Sequence, residues 1–393
     1  MADSGTNERR FAKLKVPIGP SHPALEEPAR FIFEVEGERV VDVDYEIGYN
    51  HRGIERLCQE RPIQKVVYLT ERICGICSNT HPLNHVERVE DIAGIEVPAR
   101  AKYIRTLFQE LERIHSHMLW AGIAGEEIGY HTLFMYTWRE REKVMDLREL
   151  LSGNRVMCGV NEIGGVKWNI ADEHVRPALN VLSYLDGAAD KITRAVIKDS
   201  NIAERGRGVG ALSKEDAIRL GAVGPNARAS GVAEDVRVMC KHEHAAYGDF
   251  DLEPQTAQGG DVIAQAVVRL KELKQSIGLC KELLANLPGG PIEVEYDEIP
   301  AGQSVGRVEA PRGECVHYVQ TNGTNFFERV KIRAPTYANI PSYVPKFLGC
   351  QVADIPIITA SIDPCFSCTD RVTIIKEGKR KIVGKRELRA GRV

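Results

Sequence analysis

Apolar and polar residues change rhythm several times along this chain. Residues 29–48, ARFIFEVEGERVVDVDYEIG, alternate with period two around an EGE turn and predict a β-hairpin. From about 50 to 92 the apolar positions fall in short runs broken at Pro62, at Gly75 and before Pro82, which predicts short helices. Pro98 then opens a long helical stretch over roughly 99–123, with Ile104, Leu107, Leu111, Ile114 and Met118 at helical spacing. Further helical patterns cover roughly 131–151, 173–199 and 258–286. The stretch 201–232, rich in Gly and Arg, predicts an irregular connection. After Pro288-Gly289-Gly290-Pro291 the texture turns to β, at 291–298, 305–309, 315–321 and 328–333, and 353–361 then leads into DPCFSC. The pattern predicts an α+β fold, a long-helix bundle core framed by small β-rich segments at both ends.

Three regions follow. Residues 1–15 read as a flexible N-terminal arm. Residues 16–375 read as a single domain, with the hairpin at 29–48, a helical core over 50–286 and a mixed C-terminal segment over 291–375. Residues 376–393 read as a basic, solvated tail, because 376–392 holds eight Lys/Arg against two Glu. A chain that is 43% hydrophobic can fill one large core. A formal net charge of -3 gives no reason to expect nucleic acid or an acidic substrate. No run approaches the ~18–20 apolar residues of a membrane span. The N-terminus, MADSGTNERRFAKLKV, has no apolar signal-peptide core, so a soluble or peripheral cytoplasmic protein is expected.

Cysteine changes the picture. Of ten, four form two C-x-x-C pairs, Cys74/Cys77 and Cys365/Cys368. The other six, Cys58, Cys158, Cys240, Cys280, Cys315 and Cys350, are scattered and read as small buried hydrophobes. Two pairs suggest four thiolates around metal. All of 78–364 lies between them, so the site joins the chain ends across the core rather than stapling a local knuckle. Soft thiolates suit zinc, copper(I), iron–sulfur clusters or nickel, and a structural Zn(Cys)4 site fits the spacing alone. The neighbours point elsewhere. Glu71-Arg72 and His81 flank the first pair and Asp363-Pro364 precedes the second, as a centre that handles protons requires.

With RGIE at 52–55, ERICGIC at 71–77, EAPRGE at 309–314 and DPCFSC at 363–368, the sequence resembles the large subunit of nickel–iron hydrogenases. The opening PIGPSHPALEEP and the helix LERIHSHMLWAG resemble the complex I-related, energy-converting membrane hydrogenases in particular. The resemblance runs from about Pro17 to Arg371. It implies Cys74 and Cys365 as terminal nickel ligands, and Cys77 and Cys368 as bridges from nickel to an iron carrying carbon monoxide and cyanide. It implies Glu55 as a proton-relaying carboxylate and Arg312 as a guanidinium over the open coordination site. Asp363 would pair with that arginine, and His81 would hydrogen-bond near a bridging cysteine. Reversible splitting of dihydrogen would then need the metal pair as Lewis acid and a thiolate or Arg312 as base. Arginine is almost always protonated, so the base role is the harder one for it.

Three departures from that family stand out. Ser116 occupies the aspartate position of a His-Asp-His segment, between His115 and His117. Arg371 stands where a histidine often precedes precursor cleavage, and the chain runs on to Val393. That histidine often binds a separate magnesium or iron, which Arg371 is unable to do. The competing readings are a quinone-reducing subunit of complex I type, a zinc-stabilised scaffold and an iron–sulfur carrier. The quinone relatives carry a second histidine where Glu26 stands here, and have lost the four cysteines. No spare cysteine set is visible for an electron relay. A partner iron–sulfur small subunit with a 4Fe-4S cluster is therefore implied, and the resemblance adds ferredoxin and ion-translocating membrane subunits, with the chain on the cytoplasmic face of the membrane.

Overall fold

A computed structural model describes residues 12–240, 245–369, 374–376 and 379–381. His242, His244, Arg371 and nearly all of the basic tail lie outside these residues.

Strands β1 (Lys13–Ile18), β2 (Arg30–Glu36) and β3 (Arg39–Glu46) form an antiparallel sheet in sequence order. The expected hairpin is β2–β3. Its partner β1 begins inside the segment expected to be a flexible arm, because Lys13-Leu14-Lys15 pair with Glu34-Val35-Glu36. Short helices α1 (Ile54–Gln59), α2 (Ile63–Glu71) and α3 (Thr80–Ala93) follow. The long helices α4 (Ala99–Glu127), α5 (His131–Ser152), α6 (Asp172–Lys198) and α11 (Val262–Ala285) form the central bundle. A two-strand turn, β4 (Asn161–Glu162) with β5 (Gly165–Val166), lies between α5 and α6. The connection expected to be irregular at 201–232 instead holds α7 (Ser200–Gly206), α8 (Lys214–Arg219) and α9 (Pro225–Arg228). Asp199 and Ser213 cap the first two by accepting backbone N–H bonds. A further turn of helix, α10, spans Val236–Met239.

The C-terminal sheet is β6 (Ala301–Ala310), β7 (Gly313–Asn322) and β8 (Phe327–Arg333), again antiparallel and in order. The β segment expected at 291–298 is not a strand. It touches the β4–β5 turn through one bridge at Glu293, where Val166 N–H donates to the Ile292 carbonyl. The chain closes with α12 (Pro335–Asn339), α13 (Tyr343–Phe347) and α14 (Ile355–Ile362), and with the strand pair β9 (Ile374–Lys376) and β10 (Lys379–Lys381).

Two features position the site. First, α4 is buried on nearly every side, although its sequence shows a one-sided apolar stripe. Its charged residues are enclosed in pairs: Arg105 Nη2 bonds Glu90 Oε1 at 2.6 Å, and both side chains are fully buried. Second, the N-terminal sheet packs against the C-terminal helices. Phe31 and Phe33 interlock with Tyr343, Phe347 and Phe366 at ring-centroid distances of 5.0–6.2 Å. The β1–β2 loop is thereby laid against the DPCFSC segment.

Candidate metal centre

The two C-x-x-C pairs meet in the core. Cys74, Cys77, Cys365 and Cys368 are each no more than 4% exposed. Cys365 Sγ stands 3.1 Å from Cys74 Sγ and 3.0 Å from Cys368 Sγ, and the sulfurs of Cys74, Cys77 and Cys368 lie within 4.8 Å of one another.

Each pair is shaped by its own turn. After α2, the chain folds Cys74-Gly-Ile-Cys77 around the Cys74 sulfur, which accepts the N–H groups of Ile76 at 3.3 Å and Cys77 at 3.4 Å. Helix α3 starts three residues later. Its open N-terminus is capped from α4 by Glu112, which accepts the Asn79 N–H and, at 3.1 Å, the Thr80 N–H. At the other end α14 stops at Asp363, whose φ of 59° is the single left-handed non-glycine backbone among the described residues. Aspartate tolerates that conformation, and Pro364 ends the helix behind it. Cys365 N–H then bonds Thr336 Oγ1 at 2.9 Å, and Cys368 N–H closes a turn on the Cys365 carbonyl.

Arg52, the first residue of RGIE, ties the two turns together. Its guanidinium donates to the carbonyls of Arg72 at 2.9 Å, Ile73 at 2.7 Å and Ser367 at 3.1 Å. One side chain thus reads the backbone immediately before Cys74 and between Cys365 and Cys368.

Arg312 sits in the two-residue turn between β6 and β7. Gly313 in that turn has φ 124° and packs so closely on Gly224 that a side chain on either would strike the other's backbone. Arg113 of α4 fixes the tip by donating to the carbonyls of Glu309 and Ala310. The carboxylate of Glu309 is held in turn by fully buried Arg228 at 2.8 Å. Arg312 itself donates through Nε to the Asp363 carbonyl at 2.7 Å and through Nη2 to Asp363 Oδ1 at 2.5 Å. Its Nη1 faces Ser116 Oγ at 3.4 Å and Cys77 Sγ at 3.9 Å. Serine at the aspartate position of the His-Asp-His pattern therefore still meets the guanidinium, as a neutral and longer contact. Burial opposes the charge on Arg312, but Asp363 and then the Cys77 sulfur outweigh it and hold its pKa above the ordinary arginine value.

Four close thiols are themselves a demand for a cation. Hydrogen bonds from Cys365, Cys368 and Cys77 hold the Cys74 pKa well below the ordinary value. The mirror effect, bonds to Cys365, Cys74 and Cys77 followed by burial, pushes Cys368 well above it. One sulfur is easily a thiolate and its neighbours keep their protons until positive charge arrives. Asp363 Oδ2 is buried beside them without a hydrogen-bond partner. This donor set fits a nickel–iron pair, which is held through thiolates.

The structure places the remaining expected residues as follows. His81 is buried, and Nδ1 faces His317 Nε2 at 3.1 Å while Nε2 has no partner; burial lowers its pKa to about 4, so it is neutral. Glu55 lies on α1 with its carboxylate turned to β8, accepting the Ile332 N–H at 3.0 Å and Lys331 Nζ at 3.1 Å. Glu71 accepts the Gly159 N–H, and the Arg72 side chain is exposed, so neither bonds a cysteine. His115 and His117 diverge, to Arg141 and to Glu272.

The carboxylate that does meet a cysteine is Glu27. Its Oε1 accepts from Cys365 Sγ at 3.7 Å and from Ser367 Oγ at 2.7 Å, and its Oε2 accepts the Ser367 N–H at 2.7 Å. Burial, then the negative Cys74 sulfur, raises its pKa. The sequence signal was the second glutamate of PIGPSHPALEEP, which read as a branch signature rather than as chemistry.

Two family models match the chain. The one described as "Respiratory-chain NADH dehydrogenase, 49 Kd subunit" matches residues 127–299 and 294–371, and "Nickel-dependent hydrogenase" matches 52–121. The membrane-bound hydrogenase subunit alpha of Pyrococcus furiosus is 42% identical over 95% of this chain and 91% of that protein. This chain belongs to the nickel–iron hydrogenase large-subunit family. Within it, the chain lies in the branch related to complex I. The carbon monoxide-induced hydrogenase of Rhodospirillum rubrum is 41% identical over 91% of this chain and 99% of that one. A solved structure of an archaeal membrane-bound sulfane sulfur reductase matches with a TM-score of 0.86, at 31% identity over 93% of this chain and 100% of that chain. The fold is thus shared by complexes named for different substrates, and the residues of the centre must carry the functional distinction.

Proposed function

We propose that this large subunit interconverts dihydrogen with protons and electrons at a nickel–iron centre held by Cys74, Cys77, Cys365 and Cys368. The observation that carries the reading is the convergence of four buried sulfurs beneath the Arg312–Asp363 pair. A quinone-reducing subunit has no use for four core thiols, and a structural zinc site has none for a buried arginine above them.

A bound nickel–iron pair, with carbon monoxide and cyanide on the iron, would supply a Lewis acid and an electron acceptor. The protein does the rest. Cys74, Cys77, Cys365 and Cys368 would hold the metals through their sulfurs. Arg312 is locked as a cation by two bonds to Asp363, so it stabilises negative charge at the centre rather than acting as a base. The proton passes from the Cys365 sulfur to Glu27 Oε1, the carboxylate oxygen in contact with it, and Ser367 fixes the orientation of that carboxylate. Glu55, the expected relay, accepts from Ile332 N–H and Lys331 Nζ of β8, and we give it a supporting role.

Among the described residues no helix is long and apolar enough to cross a membrane. Relatives named as parts of membrane-bound complexes support a peripheral place in such a complex, and we put the chain on its cytoplasmic face. There, a 4Fe-4S small subunit would pass electrons to ferredoxin, and membrane subunits would move ions. Isotope exchange tests the activity without any electron partner. The purified complex under deuterium gas in ordinary water should release HD and then hydrogen. A fully nickel-loaded complex that exchanges nothing rejects the reading.

A further inference from the structure

Helix α3 and strand β7 carry a second cluster of metal-ligating side chains that the hydrogenase chemistry does not use. On α3, His81 and His85 are four residues apart and share one helical face. On β7, Cys315 and His317 are two apart and share the buried face of the strand. The four are at most 1% exposed. His81 Nδ1 stands 3.1 Å from His317 Nε2 and 3.6 Å from Cys315 Sγ, and these three atoms lie within 4.8 Å of one another. A tetrahedral zinc ion with ordinary bond lengths sets its nitrogens about 3.3 Å apart and nitrogen from sulfur about 3.6 Å. The ring of His85 lies 6.2 Å from that of His317.

We propose that His81, Cys315 and His317 form a second, zinc-type metal site, with His85 as the adjacent fourth donor. Hydrogen bonding alone leaves the cluster poorly served. His81 Nε2, His317 Nδ1 and both ring nitrogens of His85 are buried without partners. Val86 and Val89 of the helix and Val319 and Val330 of the sheet belong to the same buried cluster as Cys315, and Asn84 Nδ2 donates to the Cys315 carbonyl at 2.8 Å. A cation would draw together the donors that share this space and give one ring nitrogen of His85 a partner. Cys315, which read as a small hydrophobe in the sequence, becomes a ligand. The site would clamp α3, which begins three residues after Cys77, to β7, which begins one residue after Arg312.

Metal analysis of the matured native complex tests this, together with the zinc K-edge X-ray absorption spectrum. One zinc per large subunit is expected, with a first shell of one sulfur at about 2.3 Å and two or three nitrogens at about 2.0 Å. Cys315→Ala and His317→Gln should each lose that zinc while nickel content stays unchanged. Absence of zinc, a first shell of four sulfurs, or zinc that persists in both variants overturns the proposal. If a variant fails to assemble, the native spectrum alone decides.

Discussion

Replacing Glu27 by glutamine separates proton transfer from architecture. The carboxylate accepts three hydrogen bonds, two from Ser367 at 2.7 Å and one from the Cys365 sulfur at 3.7 Å. A glutamine can keep its carbonyl on the Ser367 N–H and turn its amide to the serine hydroxyl, which is able to accept. The structural cost is then about one neutral hydrogen bond, on the order of 1 kcal/mol. The lost proton acceptor is worth far more, because positioned general acid–base groups contribute roughly 10²–10⁴-fold, or about 3–5 kcal/mol of barrier. Glu27→Gln should therefore keep nickel and iron and lose deuterium exchange by that factor. Glu55→Gln loses a charge-assisted contact to Lys331 at a side chain 15% exposed, costing about 1 kcal/mol of stability, and should leave exchange within a few-fold of wild type. The assay is HD release per nickel for both variants beside the parent. Full exchange in nickel-loaded Glu27→Gln, with loss in Glu55→Gln, would return the relay to Glu55 and refute the reasoning.

Three further outcomes follow from the same contacts. Asp363→Ala strands a buried guanidinium and should destabilise the subunit by about 3–5 kcal/mol, whereas Asp363→Asn tolerates the φ of 59° and should cost less; denaturant midpoints of the two variants check the order. Arg52→Ala removes the three carbonyl contacts that join the C-x-x-C turns, and should reduce nickel content while the helical circular dichroism is retained; a normal metal load contradicts the staple. Lys346 is fully enclosed, and burial, with Arg269 adding repulsion against the partial offset of Asp261, lowers its pKa to about 7. The folded protein then binds fewer protons than the unfolded chain between pH 7 and the free lysine value. Stability gains about 1.4 kcal/mol per pH unit as pH rises through that window, and Lys346→Met should flatten this slope in melting curves from pH 6 to 9.

Much of this was legible in the sequence because the signals were local and repeated. Period-two alternation found β2 and β3, 3.6-type spacing found the four bundle helices, and the paired cysteines with EAPRGE and DPCFSC found the centre. What escaped has physical reasons. A glycine- and arginine-rich connection hid α7 to α9, of which α7 and α8 are capped by single side chains and α9 by none. The alternation of 291–298 lacked partner strands, so it stayed extended without a sheet. Glu27 and Glu55 are both glutamates in recognisable strings, and only the packing of Phe31 and Phe33 on Phe366 and its neighbours decides which one is laid against Cys365. The apolar spacing of α4 carries no sign that Arg105, Arg113 and Glu110 are fully buried.

The four-cysteine centre is tested most directly by metal content and infrared spectra of the native complex. One nickel per large subunit, accompanied by carbonyl and cyanide stretching bands that disappear in Cys368→Ser, is the expected result. A complex matured in its own host that carries zinc at these cysteines, with neither nickel nor such bands, contradicts it.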